Sequence, residues 1–291
     1  MHELQYSSPA SVDEALELLA ETNQDPRILA GGTDLLIQLR AGARQARHLV
    51  DVKRIPEMNV LHADARAGLR IGGAVPCAVL TEHSAAGELF PGLVEAVGLI
   101  GSTQIQGRAT VAGNLCNGSP AADTTPSLLA LGATCMIAGP GGRRELSIDE
   151  VVTAPGRTVL TPSELLVEIR VPPPARGSSD AYQRLIPRTE MDIAVVGVGV
   201  QVAVDSDGRC TAARIALGAV GPRAFLATEA AESLVGTTLD DEALARAGAL
   251  ASKIAQPISD KRGSAAYRRE IAGVLTRRVA ADAARRAREK A

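Results

Sequence analysis

The sequence predicts an α+β chain of two or three subdomains, on three observations. Short apolar strands alternate with helix-spaced stretches, but not in the regular order of a doubly wound sheet. Adjacent glycines stand where strands end and helices begin, and Gly139-Pro140-Gly141-Gly142 separates two strands in hairpin fashion. The 291 residues are long for a single compact core, and 46% hydrophobic with 22% charged residues lies outside the range of disordered or fibrous chains.

In chain order, Ser11 precedes Glu14 at the capping-box spacing, with Val12, Ala15, Leu16 and Leu19 on one face, which predicts a helix over residues 11–22. Arg27 to Ala30 reads as a short strand, Gly31-Gly32-Thr33-Asp34 as a turn and Leu35 to Leu39 as a helix. His48 to Val52 is a second strand, closing a first subdomain over residues 1–60. Beyond Leu69, helices are expected over 76–86, 91–100 and 126–131, and the break at Pro172-Pro173-Pro174 ends a second subdomain over 61–175. Ile193 to Val204, the turn Asp205-Ser206-Asp207-Gly208, and Arg209 to Leu217 read as strand, turn, strand within a carboxy-terminal domain over 176–291. Its last helix, about 264–287, carries Arg268, Arg269, Arg277, Arg278, Arg285, Arg286 and Arg288 and is expected to present a solvated face, less often a partner surface.

Composition excludes several classes of function. With 31 basic against 33 acidic residues the net charge is −2, so no overall field favours a nucleic-acid backbone, and three Tyr, two Phe and no Trp leave no stacking platform for single strands. No apolar run approaches the length of a membrane span, and the start MHELQYSSPAS lacks the basic head and apolar stretch of an export signal, so a cytoplasmic address is expected. Cys77, Cys116, Cys135 and Cys210 are widely separated, without the paired spacing of zinc or iron-sulfur ligands. His2, His48, His62 and His83 follow no ligand spacing and are expected to be ordinary surface or structural residues. Redox chemistry here would need an organic carrier.

Two glycine-containing turns, Leu29-Ala30-Gly31-Gly32-Thr33-Asp34-Leu35 and Thr110-Val111-Ala112-Gly113-Asn114, can present bare backbone amides. Such amides favour negative oxygens and are the chemistry of a diphosphate cradle, although a glycine pair at a strand end is more often a plain tight turn. Neither is a G-x-G-x-x-G fingerprint and no G-x-x-x-x-G-K-[ST] occurs, so a Rossmann or P-loop reading fails. Asp123 suits a ribose diol; it equally suits an N-cap for the helix expected near Pro126.

The run TVAGNLCNGSPAADTTPSLLALGA (from Thr110), with ILAGGTDLL (from Ile28) upstream, resembles the FAD-binding medium subunit of molybdenum hydroxylases, the group that includes carbon monoxide and xanthine dehydrogenases. The similarity extends to Tyr6 with Pro9 to Ala15, to Glu164 to Pro172, to Ala181 to Gly199 and to Pro257 to Leu275, nearly the whole chain. It implies a vanillyl-alcohol-oxidase-type FAD-binding domain of two subdomains plus a carboxy-terminal α+β domain. By motif, Leu29, Ala30, Gly31, Gly32, Thr33, Asp34 and Leu35 would hold the diphosphate from one side and Thr110, Gly113 and Asn114 from the other. Gln104 and Ile105 would lie along the cofactor, Asp123 would bind ribose hydroxyls, Leu166 and Ile193 would pack near a ring system, and Arg184 would stand close to the flavin. Substituting Asp123 by Ala would then loosen FAD while leaving the chain folded.

Ala112 and Arg184 depart from the family pattern, which often has glycine and lysine there, and the cysteine-rich insertion of the relatives carrying a four-iron cluster is missing. The implied function is an electron relay: non-covalent FAD accepts electrons from a small [2Fe-2S] subunit and passes them to an external acceptor. The molybdenum cofactor would sit on a large partner subunit, in an assembly expected to be a dimer of heterotrimers. The relay needs no catalytic side chain. The competing readings are a self-contained flavin oxidase, for which only Tyr182 and Tyr267 offer a base, and a cofactor-free structural subunit.

Overall fold

A computed structural model describes residues 4–291. Near the amino terminus, β1 (Gln5–Ser7), α1 (Val12–Ala20), β2 (Pro26–Leu29), α2 (Leu35–Arg40) and β3 (His48–Asp51) build a parallel sheet in the order β1-β3-β2. The Ser11 hydroxyl accepts from the Glu14 amide at 3.1 Å and starts α1 where the spacing predicts it. The strand β1 has no sequence signature; it exists because it pairs with β3, more than forty residues away.

The middle of the chain holds β4 (Leu61–Asp64), β5 (Gly68–Gly72), α3 (Cys77–Thr81), α4 (Ser84–Leu89), α5 (Pro91–Gly98), α6 (Thr103–Gln106), α7 (Val111–Cys116) and α8 (Thr124–Ala130). It continues with β6 (Thr134–Gly139), β7 (Gly142–Ser147), α9 (Ile148–Val151), β8 (Val152–Ala154), β9 (Arg157–Thr158) and β10 (Leu165–Val171). Five of these strands form a sheet ordered β4-β5-β10-β6-β7, and the glycine turn at 139–142 joins β6 to β7 as the sequence predicts. The single helix expected over 76–86 is two, because His83 adopts an extended backbone and its ring accepts from the Ala86 amide, capping α4. Central β10 is covered on both faces, and its buried Glu168 is held by Arg70 and Arg170 on the neighbouring ladder positions.

The last part contains β11 (Ser178–Leu185), β12 (Val196–Val204), β13 (Cys210–Gly218), β14 (Phe225–Leu226), α10 (Thr228–Glu232), α11 (Asp241–Ile254) and α12 (Ala265–Arg288). Its antiparallel sheet follows chain order, and α12 covers one face through Ala272, Val279, Ala280 and Ala283. Small side chains let α11 and α12 approach closely. The arginines of α12 are not simply a solvated face: Arg268 is buried and donates to the Val195 carbonyl and to Asp260, Arg269 donates to the Ala255 carbonyl, and Arg286 to the Asp180 carbonyl. Periodicity reports which positions repeat, not which sheet edge lies beside them.

Three apolar clusters support these parts, and one of them joins the first two. Val12, Ala15 and Leu19 of α1 pack with Val50 and Met58, and also with Ala138, Leu165 and Val167 of the second sheet. The second and third parts meet where α5 lies on β11. A Cβ on Gly92 would come within 2.6 Å of the Ala181 backbone, so only glycine permits the approach. Phe90 gives α5 no side-chain cap; Asp180 supplies one from the neighbouring sheet, accepting from the Leu93 amide at 2.9 Å.

Asp180 Oδ1 is buried without a partner, while Glu95, Arg286 and Lys290 surround the contact. Burial pushes the Asp180 carboxyl up to about 7 from 3.8, and the like charge of Glu95 adds to the rise against the amides of α5 and Lys290. Between these values the folded chain holds a proton that the unfolded chain has released. The contribution is therefore complete below the unfolded pKa and is lost as pH rises through the folded one. Thermal melts from about pH 5 to about pH 8 are expected to show the native protein losing stability relative to Asp180→Asn, whose amide stays neutral throughout.

Candidate functional site

The first glycine turn leaves the end of β2 and enters α2, whereas the second, expected as a turn, is Thr110 followed by the first residues of α7. The first turn meets the backbone of residues 108 and 109, just ahead of the second. A Cβ on Gly31 would lie 2.3 Å from the Arg108 carbonyl oxygen and 2.8 Å from the Ala109 Cα, so the absence of a side chain at Gly31 is what allows the backbones to meet. Gly32 follows with φ +78°, a left-handed conformation that turns successive amides toward one side.

No protein acceptor among the described residues serves the N–H groups of Gly31, Gly32, Thr33, Asp34 and Leu35; the first helical bond of α2 runs from Leu36 to the Gly32 carbonyl. Half-buried backbone donors are rarely left so, and five in succession, all but that of Asp34 on half-buried residues, mark a place shaped for negative oxygens. Opposite them, the Thr110 hydroxyl accepts from the Gly113 amide at 2.9 Å and fixes the start of α7. Asn114 accepts from the Thr124 hydroxyl at 2.7 Å, and Gln38 donates to Asn117 at 3.0 Å, tying α2 to α7 across the gap. Ala112 has no positive φ, so alanine sits here in ordinary helical backbone.

Between the turns lies a cavity of about 340 Å³. Ala30, Gly31, Gly32, Thr33, Asp34, Leu35, Thr110, Gly113, Asn114 and Leu166 border it, together with an apolar floor from Ile28, Val52, Met58 and Leu165. Leu29 stands behind the wall, its Cδ1 beneath Gly32. Arg27 and Arg44 contribute to the lining as well. Burial raises the Asp34 carboxyl above its ordinary value while Arg44 opposes the rise. Polar donors on one side and an apolar slot on the other fit an anionic nucleotide with a flat ring, and the volume lies within the range of ligand sites.

The other expected residues sit elsewhere. Gln104 and Ile105 are on α6, where Ile105 packs against Gly101 and the core, and Ile193 is half-exposed on the loop between β11 and β12. Asp123 does not border the cavity, nor does it cap α8. It is buried between Arg184, whose Nη1 donates to it at 2.5 Å, and Tyr182, whose hydroxyl donates at 3.0 Å. Desolvation pushes the Asp123 carboxyl up to about 6, against the pull of the Arg184 charge and both hydrogen bonds. Arg184 Nε is buried with no partner, and the residue borders a shallow depression with Glu95, Leu99 and Gln183.

Sequence reasoning missed Gln38, Met58 and Glu164 on the cavity wall. Gln38 was accessible as the polar residue one turn beyond Asp34; Met58 and Glu164 carry no signal, since each arrives by tertiary packing. Of the histidines, His48 pairs with the Ser7 hydroxyl at 2.8 Å, His83 caps α4, His62 lies on β4, and His2 is outside the described residues. Burial pushes the Cys77 and Cys116 thiols up to about 12, so neither is a nucleophile near neutral pH. No cluster of three metal-ligating side chains and no helix long and apolar enough to cross a membrane occurs among the described residues.

The Asp123 contacts change what its removal does. Asp123→Ala strands the Arg184 charge, whose side chain is only 5% exposed, so the variant is expected to lose roughly 3 kcal/mol of stability in denaturant unfolding, beyond any effect on a ligand.

Comparison with known proteins agrees with this geometry. Residues 2–174 match the family described as the FAD binding domain in molybdopterin dehydrogenase, and residues 181–283 match the CO dehydrogenase flavoprotein C-terminal domain. The chain is 36% identical to the carbon monoxide dehydrogenase medium chain of Afipia carboxidovorans over 97% of both proteins. It is 30% identical to the xanthine dehydrogenase FAD-binding subunit of Escherichia coli O157:H7, over 96% of this chain and 95% of that one. Among solved structures, a chain of the carbon monoxide dehydrogenase from Hydrogenophaga pseudoflava superposes with a TM-score of 0.92 at 33% identity, covering 98% of each chain. A chain of quinoline 2-oxidoreductase from Pseudomonas putida 86 does so at 0.90 and 31% identity, again over 98% of each. On both matches and on the similarity to these relatives over nearly the whole chain, the chain belongs to the FAD-binding medium-subunit family of the molybdenum-containing dehydrogenases.

Proposed function

We propose that this chain is the electron-transfer component of a molybdenum hydroxylase, receiving electrons from a small [2Fe-2S] subunit and delivering them to an external acceptor. A large subunit carrying the molybdenum cofactor would oxidise the substrate, in a dimer of heterotrimers. The observation that supports this most is the row of five unpaired amides from Gly31 to Leu35, set against the 110–114 turn across a cavity of about 340 Å³. When bound, FAD supplies exchange between one-electron and two-electron carriers. The protein's part is binding, orientation and exclusion of water.

In this proposal Gly31 to Leu35 donate to diphosphate oxygens from one side and the Thr110, Gly113 and Asn114 turn supports them from the other. The apolar wall of Ile28, Val52, Met58 and Leu166 shields a ring from solvent. Gln104, Ile105, Asp123, Arg184 and Ile193, with Leu29 behind the turn, are assigned to the remainder of the cofactor. Asp123 acts there through Arg184 as well as directly, since its two oxygens already hold Arg184 and Tyr182. The division at 60/61 and 175/176 is part of the same reading, supported by three main sheets that share no strand.

A relay is favoured over a self-contained oxidase by the state of Tyr182. Its hydroxyl is committed to Asp123, and burial together with that carboxylate raises its pKa well above the ordinary value, which unsuits it as a base.

Co-expression with a candidate large molybdenum-cofactor subunit and a candidate small [2Fe-2S] subunit is expected to yield one co-eluting, flavin-coloured complex whose flavin is bleached by substrate only when both partners are present. Bleaching of the isolated chain by a small organic substrate would overturn the relay, and a colourless complex would overturn the cofactor role. Gly31→Ala is expected to lower flavin content sharply and to destabilise the fold by roughly 2 kcal/mol, because its methyl meets the Arg108 carbonyl.

A further inference from the structure

Lys53 lies outside the cavity, yet its ammonium donates to the Ala30 carbonyl oxygen at 3.0 Å. That carbonyl belongs to the same peptide unit as the Gly31 N–H, the first of the five unpaired amides. In a trans peptide the two groups point in opposite directions. Fixing the Ala30 oxygen on the Lys53 side therefore turns the Gly31 N–H away from it, and with it the start of the amide row.

The lysine is itself held. Lys53 Nζ stands 2.8 Å from Asp51 Oδ1, that oxygen also accepts from the Lys53 amide at 3.0 Å, and the Tyr6 hydroxyl donates to Oδ2 at 2.6 Å. Desolvation raises the Asp51 carboxyl, but the hydrogen bonds from Lys53 and Tyr6 outweigh it and hold the group below its ordinary pKa. Register explains the reach: Asp51 lies opposite Leu29 in the β2–β3 ladder, so Lys53, two residues on, comes beside Ala30, one residue past β2. The chain Tyr6, Asp51, Lys53, Ala30 thus runs from the edge strand β1 to the glycine turn.

We propose that Lys53 is a positioning residue for anion binding, which locks the Ala30–Gly31 peptide with its N–H available to the ligand and its carbonyl withdrawn. The inference rests on the diphosphate reading of the cavity. Glycine at position 31 lets this peptide rotate, and a rotated peptide would present an oxygen to an anion in place of a donor. The bond from an ammonium also polarises the peptide, strengthening the N–H at its far end.

The test compares ADP and adenosine binding to the full chain freed of flavin, by titration calorimetry, in the native protein, Lys53→Met and Lys53→Arg. Lys53→Met is expected to weaken ADP about tenfold, the loss of one charge-assisted contact, with adenosine affinity little changed, while the melting temperature falls because Asp51 is left without its cation. Lys53→Arg, which keeps a donor and a charge, should recover most of the ADP affinity. A merely structural role would lower both ligands' affinities together, and that result, or unchanged ADP binding by Lys53→Met, overturns the inference. Should the native chain bind neither ADP nor FAD, the cofactor reading itself fails and takes this one with it.

Discussion

The site depends on a contact between two pieces of bare backbone. Gly31 lies against Arg108 and Ala109 so closely that a single methyl group would meet a carbonyl oxygen. The approach leaves the amides that follow facing a gap, without carbonyls of their own to satisfy. An arrangement of this kind is unfavourable by itself, because donors removed from water and left unpaired raise the free energy of the fold. It persists because the surrounding packing determines it: α1 wedges its apolar face between the first sheet and β10, while Gln38 and Asn117 bridge the opposite side. In the function we propose, the ligand completes hydrogen bonds that folding leaves open.

Around this contact the protein withdraws its charged groups into pairs. Lys53 is taken up by Asp51 and a carbonyl, Glu168 by two arginines on adjoining ladder positions, and Asp123 by Arg184 and Tyr182. The cavity wall combines backbone donors and apolar side chains with Arg27, Asp34, Arg44 and Glu164. The carboxy-terminal domain is fixed to the rest by the same means, with Asp180 capping a helix that has no cap of its own and Arg286 pairing with Glu95 of that helix. This places Arg184 and its partner Asp123 at the seam between the two bodies.

Much of the fold was legible in the residues. The cap at Ser11, the glycine turn into α2, the 139–142 hairpin and the paired long strands after residue 195 each carry a local signature, and each forms where it is expected. The split at His83 was not legible, since a histidine cap is uncommon and nothing near it breaks the helical spacing. The arginines of α12 misled in a similar way: a charge run implies water until buried carbonyls are known to lie beside it, as the one ahead of β12 does for Arg268. At the site, the turns announced themselves, whereas Asp123 offered two local roles and takes neither the cap nor a place on the cavity wall.

The sequence alone determined that two glycine-containing turns would occur and that the first would follow a strand and open a helix. Those are properties of backbone freedom and hydrophobic spacing over a few residues, and they need no distant partner. Only the tertiary structure decided that the first turn meets Arg108 and Ala109 just ahead of the second, that its amides remain unpaired, that Lys53 reaches Ala30, and that Arg184 meets Asp123 across 61 positions. Contacts between residues far apart in the chain depend on sheet register and on how domains dock, and both are set by burial of whole surfaces that no short segment contains.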